Sequence, residues 1–172
     1  NAEVTGYLPP PSDPIIIGID EAGRGACTGP VVYGAAWIRE SGKDLIKHPL
    51  LRDSKELTSL ERESVREFLE NIEDVGWAVH VLDASEIDAS LLRKSEPYTM
   101  NWLGEDATIR LLDILLQKYA VAHVFIDALG DNETYKHKLL AIFPTLSADT
   151  VTVETQADAK YSVVSAASIF AK

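Results

Sequence analysis

Apolar positions change from period two to a helical period several times along the chain, and these changes lay out the elements. Ile15-Ile16-Ile17-Gly18-Ile19 is a continuous apolar run of strand length, which predicts a buried strand ended by Asp20-Glu21. The segment Ala22-Gly23-Arg24-Gly25-Ala26-Cys27-Thr28-Gly29-Pro30 is too rich in glycine for regular structure, and Val31-Val32-Tyr33-Gly34-Ala35-Ala36-Trp37-Ile38 resumes as a second strand. Two strands joined by a tight glycine loop predict an antiparallel pair. Thr58 and Glu61 have the spacing of a capping box, and Val65, Phe68, Leu69 and Ile72 follow at helical offsets, giving an amphipathic helix over 59–71.

A third strand is predicted over 76–82, then a mixed stretch of short helix and loop over 83–98. Leu103, Ala107, Leu111 and Leu115 mark the longest helical pattern, 101–119. Val121-Ala122-His123-Val124-Phe125-Ile126 is a buried strand ending at Asp127. Tyr135, Leu139 and Ile142 mark a helix stopped by Pro144, residues 150–153 a short strand, and the chain from Tyr161 a last helix rich in small residues. The order predicts an α/β fold with a mixed β-sheet flanked by helices. Its boundaries are a flexible, proline-rich segment at 1–14 and one domain at 15–172. The last helix reaches Lys172 without a stop signal, so the chain is expected to be incomplete at its C-terminal side.

Composition narrows the function classes. A single cysteine, Cys27, excludes an internal disulfide framework and a cysteine-based zinc site. No apolar run approaches the roughly 20 residues of a membrane span, and the opening lacks the regions of a signal peptide. A soluble, non-secreted chain is therefore expected. The formal net charge of −11 argues against binding nucleic acid by bulk charge, because such domains carry a basic face.

Chemistry is suggested where apolar strands end in acid. Asp20-Glu21, Asp127 and Asp158 lie at or just beyond the carboxyl ends of predicted strands, where sheets of this kind place ligands. Carboxylates gathered there would resist ionising together unless a cation shared the site. Oxygen ligands without histidine or cysteine suit Mg²⁺ or Mn²⁺, and the matching chemistry is phosphoryl transfer with two ions. A lone aspartate at a strand end is more often a turn or cap residue. The adjacent pair after five apolar residues is harder to dismiss. Gly23, Gly25 and Gly29 approach a dinucleotide fingerprint, but a β-rich run follows where that motif requires a helix. Two readings of the loop stay open: a simple tight turn, or backbone lying close to a nucleic-acid strand with Arg24 on a phosphate. Asp53-Ser54-Lys55 reads as a polar turn or a phosphate contact. His80 and His123 fall in strands as satisfied core residues, and Trp37, Trp77 and Trp102 read as core.

At Ile17-Gly18-Ile19-Asp20-Glu21-Ala22-Gly23-Arg24-Gly25 the sequence resembles the type 2 ribonuclease H family. Asp53-Ser54-Lys55, Val124-Phe125-Ile126-Asp127 and Ala157-Asp158-Ala159-Lys160-Tyr161 match in order, followed by Val163-Val164-Ser165-Ala166-Ala167-Ser168-Ile169. Val75-Gly76-Trp77-Ala78-Val79 and Asp131-Asn132-Glu133-Thr134-Tyr135 look most like the catalytic subunit of the eukaryotic enzymes. The resemblance implies a ribonuclease H-like fold and cleavage of the RNA strand of RNA–DNA hybrids. It also implies incision at single ribonucleotides in duplex DNA, two accessory subunits in a heterotrimer and a nuclear location. Asp20, Glu21, Asp127 and Asp158 would be the catalytic, metal-binding carboxylates. Gly23, Arg24 and Gly25 would sense the ribose 2′-hydroxyl, with Lys55 and Asn101 as further substrate contacts. The chain departs from the family at Ala26-Cys27-Thr28, at Gln156, where a basic residue is usual, and in lacking a later tyrosine-bearing segment. The alternative is a nucleic-acid-binding or assembly module that keeps the fold without catalysis.

Overall fold

The computed structural model describes residues 13–24, 30–47, 49–52, 57–92, 98–128 and 130–172, without the side chains of 50 and 52. Gly25, Cys27, Lys55 and nearly all of the 1–14 segment lie outside the described residues. Five strands, β1 (Ile15–Ala22), β2 (Val31–Arg39), β3 (Val75–Leu82), β4 (Val121–Asp127) and β5 (Val151–Glu154), form one sheet in the order β3-β2-β1-β4-β5. β1 pairs antiparallel with β2, β2 antiparallel with β3, and β4 lies parallel to both β1 and β5. The sheet is mixed, as the order of elements predicts.

The helices are α1 (Ser59–Glu70), α2 (Ala84–Leu91), α3 (Met100–Leu116), α4 (Asn132–Ile142), α5 (Ala157–Lys160) and α6 (Ser162–Ala171). Thr58 caps α1 through the reciprocal box with Glu61, and Thr99 and Asp131 cap α3 and α4 with their side chains. Three pieces escaped the periodicity: two 3₁₀ helices at Glu40–Ile46 and Pro49–Arg52, and α5, four residues long. None is long enough for a repeating pattern to declare itself. β1 also runs on through Asp20 and Glu21 to Ala22 rather than ending before them, because Asp20 and Glu21 remain paired with Gly34 and Tyr33 of β2.

Strand alternation sorts side chains to two faces. On one, Ile17, Ile19, Tyr33, Ala35 and Trp37 meet Leu103, Ala107 and Leu111 of α3 and Leu139 of α4. On the other, Ala36 and Ile38 meet α1 and the almost wholly buried α6. Trp37 is fully buried, as expected, and Trp77 is partly buried, stacked on Phe170 at 5.0 Å. Trp102 is 47% exposed and does not belong to the core. His80 is buried as expected, but neither ring nitrogen has a hydrogen-bond partner among the described residues, and burial holds its pKa below the ordinary value.

Two glycines set the spacing between α6 and the sheet. A Cβ on Gly18 would lie 2.4 Å from the Val163 carbonyl carbon, and one on Gly34 would lie 2.5 Å from the Ala167 carbonyl oxygen. Both collisions are with helix backbone, which cannot rotate away. Gly18→Ala should therefore destabilise the chain by about 3 kcal/mol or more, the upper end of overpacking, read as a lowered urea midpoint. Gly42→Ala, whose new carbon would make ordinary contacts with the Leu45 side chain at 3.4 Å and the Ile38 side chain at 3.6 Å, should stay within about 1 kcal/mol of the parent. Equal stability of the two variants would refute close packing at Gly18.

Candidate active site

The parallel pairing of β1 with β4 matches Ile19 with Ile126, so Asp20 and Asp127 come next, side by side at the carboxyl ends of their strands. Asp158 reaches them from another direction. After β5 the chain turns at Gln156, a non-glycine residue held at φ 57°, into α5, which carries Asp158. That left-handed turn stores about 1–2 kcal/mol of strain. One carboxylate oxygen from each of Asp20, Asp127 and Asp158 lies within 4.8 Å of the other two.

Glu21 does not join this group. Opposite Gly34, Asp20 faces α6; opposite Tyr33, Glu21 faces α3. Glu21 lines a cavity of about 360 Å³ together with Arg24, Asn101, Trp102, Asp127 and Tyr135. Asp158 lines a separate cavity with Lys47, Lys160 and Ser162. Asp127 thus borders both the aspartate group and the cavity on the α3 side.

The aspartate group is electrostatically unfavourable by itself. Asp20 is 4% exposed, and its pKa is pushed from the ordinary 3.8 to about 6, chiefly by burial. The charges of Asp127 and Asp158 add to the rise, while the Ser168 hydroxyl and the Glu21 amide oppose it. The Glu21 N–H donates to Asp20 Oδ1 at 2.8 Å, and Asp20 Oδ2 is buried without a hydrogen-bond partner among the described residues. A buried carboxylate with one unpartnered oxygen, grouped with two other carboxylates, is what a hard divalent cation satisfies. The donor set fits Mg²⁺ or Mn²⁺, both being oxygen-seeking ions.

Of the remaining predicted residues, Gly23, Arg24 and Asn101 gather at the end of β1, while Gly25 and Lys55 lie outside the described residues. Arg24 donates to Asn101 Oδ1 and lies 3.9 Å from Glu21, linking the strand end to the first turn of α3. Gly23 has φ 88°, and a Cβ there would lie 2.4 Å from the Pro30 carbonyl oxygen. Its smallness is thus required by the loop's own backbone, whatever approaches from outside. Pattern reasoning missed Tyr33 and Tyr135, both buried, and the Tyr33 hydroxyl has no hydrogen-bond partner among the described residues. Tyr33 was detectable only through register, as the residue opposite Glu21. Its phenol pKa is raised to about 12 by burial and by the Glu21 charge.

The sequence profile of the ribonuclease HII family matches residues 17–172. The chain belongs to that family. It is 40% identical over 162 residues to the A subunit of ribonuclease H2 from Bos taurus, covering 93% of this chain and 53% of that protein. It spans about half the length of the curated relatives it matches. Among solved structures, the ribonuclease H2 from Pyrococcus horikoshii OT3 superposes with a TM-score of 0.75 at 34% identity, covering 91% of this chain and 70% of that one. Bst-RNase HIII in complex with Mn²⁺ gives a TM-score of 0.69 at 25% identity, covering 92% of this chain and 51% of that one. The ribonuclease H-like fold expected from the motifs is therefore the fold of this chain. Among the described residues no helix is long and apolar enough to cross a membrane.

The raised pKa of Asp20 has a thermodynamic consequence. The folded chain holds this proton more tightly than the unfolded chain, so without metal the group lowers stability as pH rises from about 4 to about 6. Above that window the deficit approaches about 3 kcal/mol. Asp20→Asn should raise stability in chelator at pH 7.5 by about 1–3 kcal/mol and change it little at pH 4. Denaturant melts at the two pH values check this; a variant less stable than the parent at pH 7.5 would contradict the electrostatic account.

Proposed function

We propose that this chain is the catalytic part of a metal-dependent ribonuclease H2 that hydrolyses the RNA strand of RNA–DNA hybrids and incises at single ribonucleotides embedded in duplex DNA. The observation that carries the reading is the group of three carboxylates with oxygens within 4.8 Å, of which Asp20 is buried with one oxygen, Oδ2, unpartnered among the described residues. Asp20, Asp127 and Asp158, with Glu21 on the adjoining face, would hold two divalent cations, Mg²⁺ or Mn²⁺. Bound there, such ions lower the pKa of water and offset charge developing on the phosphate and leaving oxygen. Burial of Asp20 keeps competing water from its oxygens, and the Ser168 hydroxyl and Glu21 amide support its ionised form. In the reaction a water oxygen bonds to phosphorus as the bond to the 3′ oxygen breaks. The 3′ oxygen takes a proton, leaving a 3′-hydroxyl and a 5′-phosphate.

On this reading Arg24 and Asn101 position the substrate strand at the end of β1, and the Gly23-Arg24-Gly25 backbone contacts a 2′-hydroxyl that DNA lacks. Lys55 supplies a further phosphate contact. Two accessory subunits complete a heterotrimer, a reading supported by relatives whose names make them one component of a multi-subunit ribonuclease H2, and the place of action is the nucleus.

The test is cleavage of a duplex with one embedded ribonucleotide, in Mg²⁺, in Mn²⁺ and in chelator. Cleavage should require the ion, and Asp127→Asn should lower its rate at least about a hundredfold, as several kcal/mol of transition-state stabilisation is lost. Incision by the variant at the parental rate, or cutting of an all-DNA duplex equally well, would overturn the proposal.

A further inference from the structure

We propose that Trp102 is a stacking surface for the sugar face of a substrate nucleotide, set at the mouth of the cavity that holds Glu21 and Asp127; the inference rests on the nucleic-acid reading above. A single exposed apolar side chain is ordinary on a protein surface, but Trp102 differs in placement, bracing and surroundings. It lines the same cavity as Glu21, Arg24, Asn101 and Asp127, on the first turn of α3, where its backbone N–H donates to the capping Thr99 hydroxyl at 3.2 Å. The indole is braced edge-on by Tyr98, with ring centroids 5.6 Å apart and planes at 75°. Tyr98 is itself tied down, its hydroxyl donating to Asp106. A ring held in this way loses little freedom on binding, the property that makes aromatic side chains effective contacts.

Charge explains why a non-ionic contact matters here. The cavity wall carries Glu21, Glu105, Asp127 and Asp131, against Arg24 as the one cation among its described residues. With a net charge of −11 over the whole chain, attraction for a polyanion is weak at this mouth, and affinity has to include terms that salt does not screen. Aromatic contact is such a term. In a duplex the base faces are stacked inside, and exposing one costs a few kcal/mol. The wide, shallow minor groove of an A-like hybrid instead presents sugars. The ribose or deoxyribose face is thus the flat surface open to Trp102 without unstacking.

The test measures binding of a labelled RNA–DNA hybrid by fluorescence anisotropy over a salt series, with every protein in the cleavage-blocked Asp127→Asn background. Trp102→Ala should weaken binding about tenfold at every salt concentration, the size typical of a lost aromatic anchor, with no change in the slope of log K against log salt. Trp102→Phe should recover most of the loss. Arg24→Ala should instead flatten that slope by about one. Single-stranded RNA of the same sequence should be bound within about twofold equally by the Trp102→Ala protein and its parent, because free bases are not what the indole meets in a duplex. If the parent binds hybrid and Trp102→Ala binds it as well, this inference alone falls. Loss on single strands equal to that on hybrid would overturn the sugar contact in favour of a base. If the folded parent binds no hybrid at all, the proposed function fails and takes this inference with it.

Discussion

The close approach of α6 to the two central strands governs the geometry of the site. Gly18 and Gly34 leave no side chain between sheet and helix, and Val163 and Ala167 bring their backbone into the space. The helix presents mainly small residues, Ser165, Ala166, Ala167 and Ser168, all buried. That spacing locates α5, which precedes α6 by a single residue, and so brings Asp158 within reach of Asp20. A bulkier residue at either glycine would move the helix outward and carry the third carboxylate with it. Packing on the α6 face and electrostatics at the strand ends are consequently one problem.

Its solution builds several unfavourable features into the site. Asp20 is buried with an unpartnered oxygen and a pKa of about 6, Gln156 occupies the left-handed region, and the Tyr33 hydroxyl is unpartnered among the described residues. Such features persist only when the surroundings hold them, and they cluster at functional sites. These three lie around the strand ends, although the His80 ring and Trp37 Nε1 are also buried without partners among the described residues. The domain otherwise has apolar faces on both sides of the sheet and side-chain caps on three helices.

Much of this organisation is legible in the sequence, for identifiable reasons. Ile15 to Ile19 announces a buried strand because both faces of that central strand are covered, Val121 to Ile126 announces a strand of which Val124 and Ile126 are buried, and the Thr58–Glu61 box announces α1 because capping is local. The aspartates at strand ends are visible for the same reason. What pattern reasoning does not supply is the division of Asp20 and Glu21 between two faces, which depends on β1 continuing past Ile19 in register with β2. Nor could it place Trp102 outside the core. Its apolar character reads the same at the rim of a cavity as inside a helix interface, and only the tertiary position of the first turn of α3 separates the two. Helix α5 is hidden because a four-residue element has no period, and Gln156 because nothing in a glutamine signals positive φ.

The central claim is that Asp20, Asp127 and Asp158 form a site for a divalent cation. Crystals grown with Mn²⁺ and measured for its anomalous scattering test it most directly. The account predicts a peak bonded to Asp20 Oδ2 and shared with Asp127 and Asp158, lost in Asp20→Asn. Crystals at millimolar Mn²⁺ that show no peak there, or an ion bound only elsewhere on the acidic surface, would contradict it.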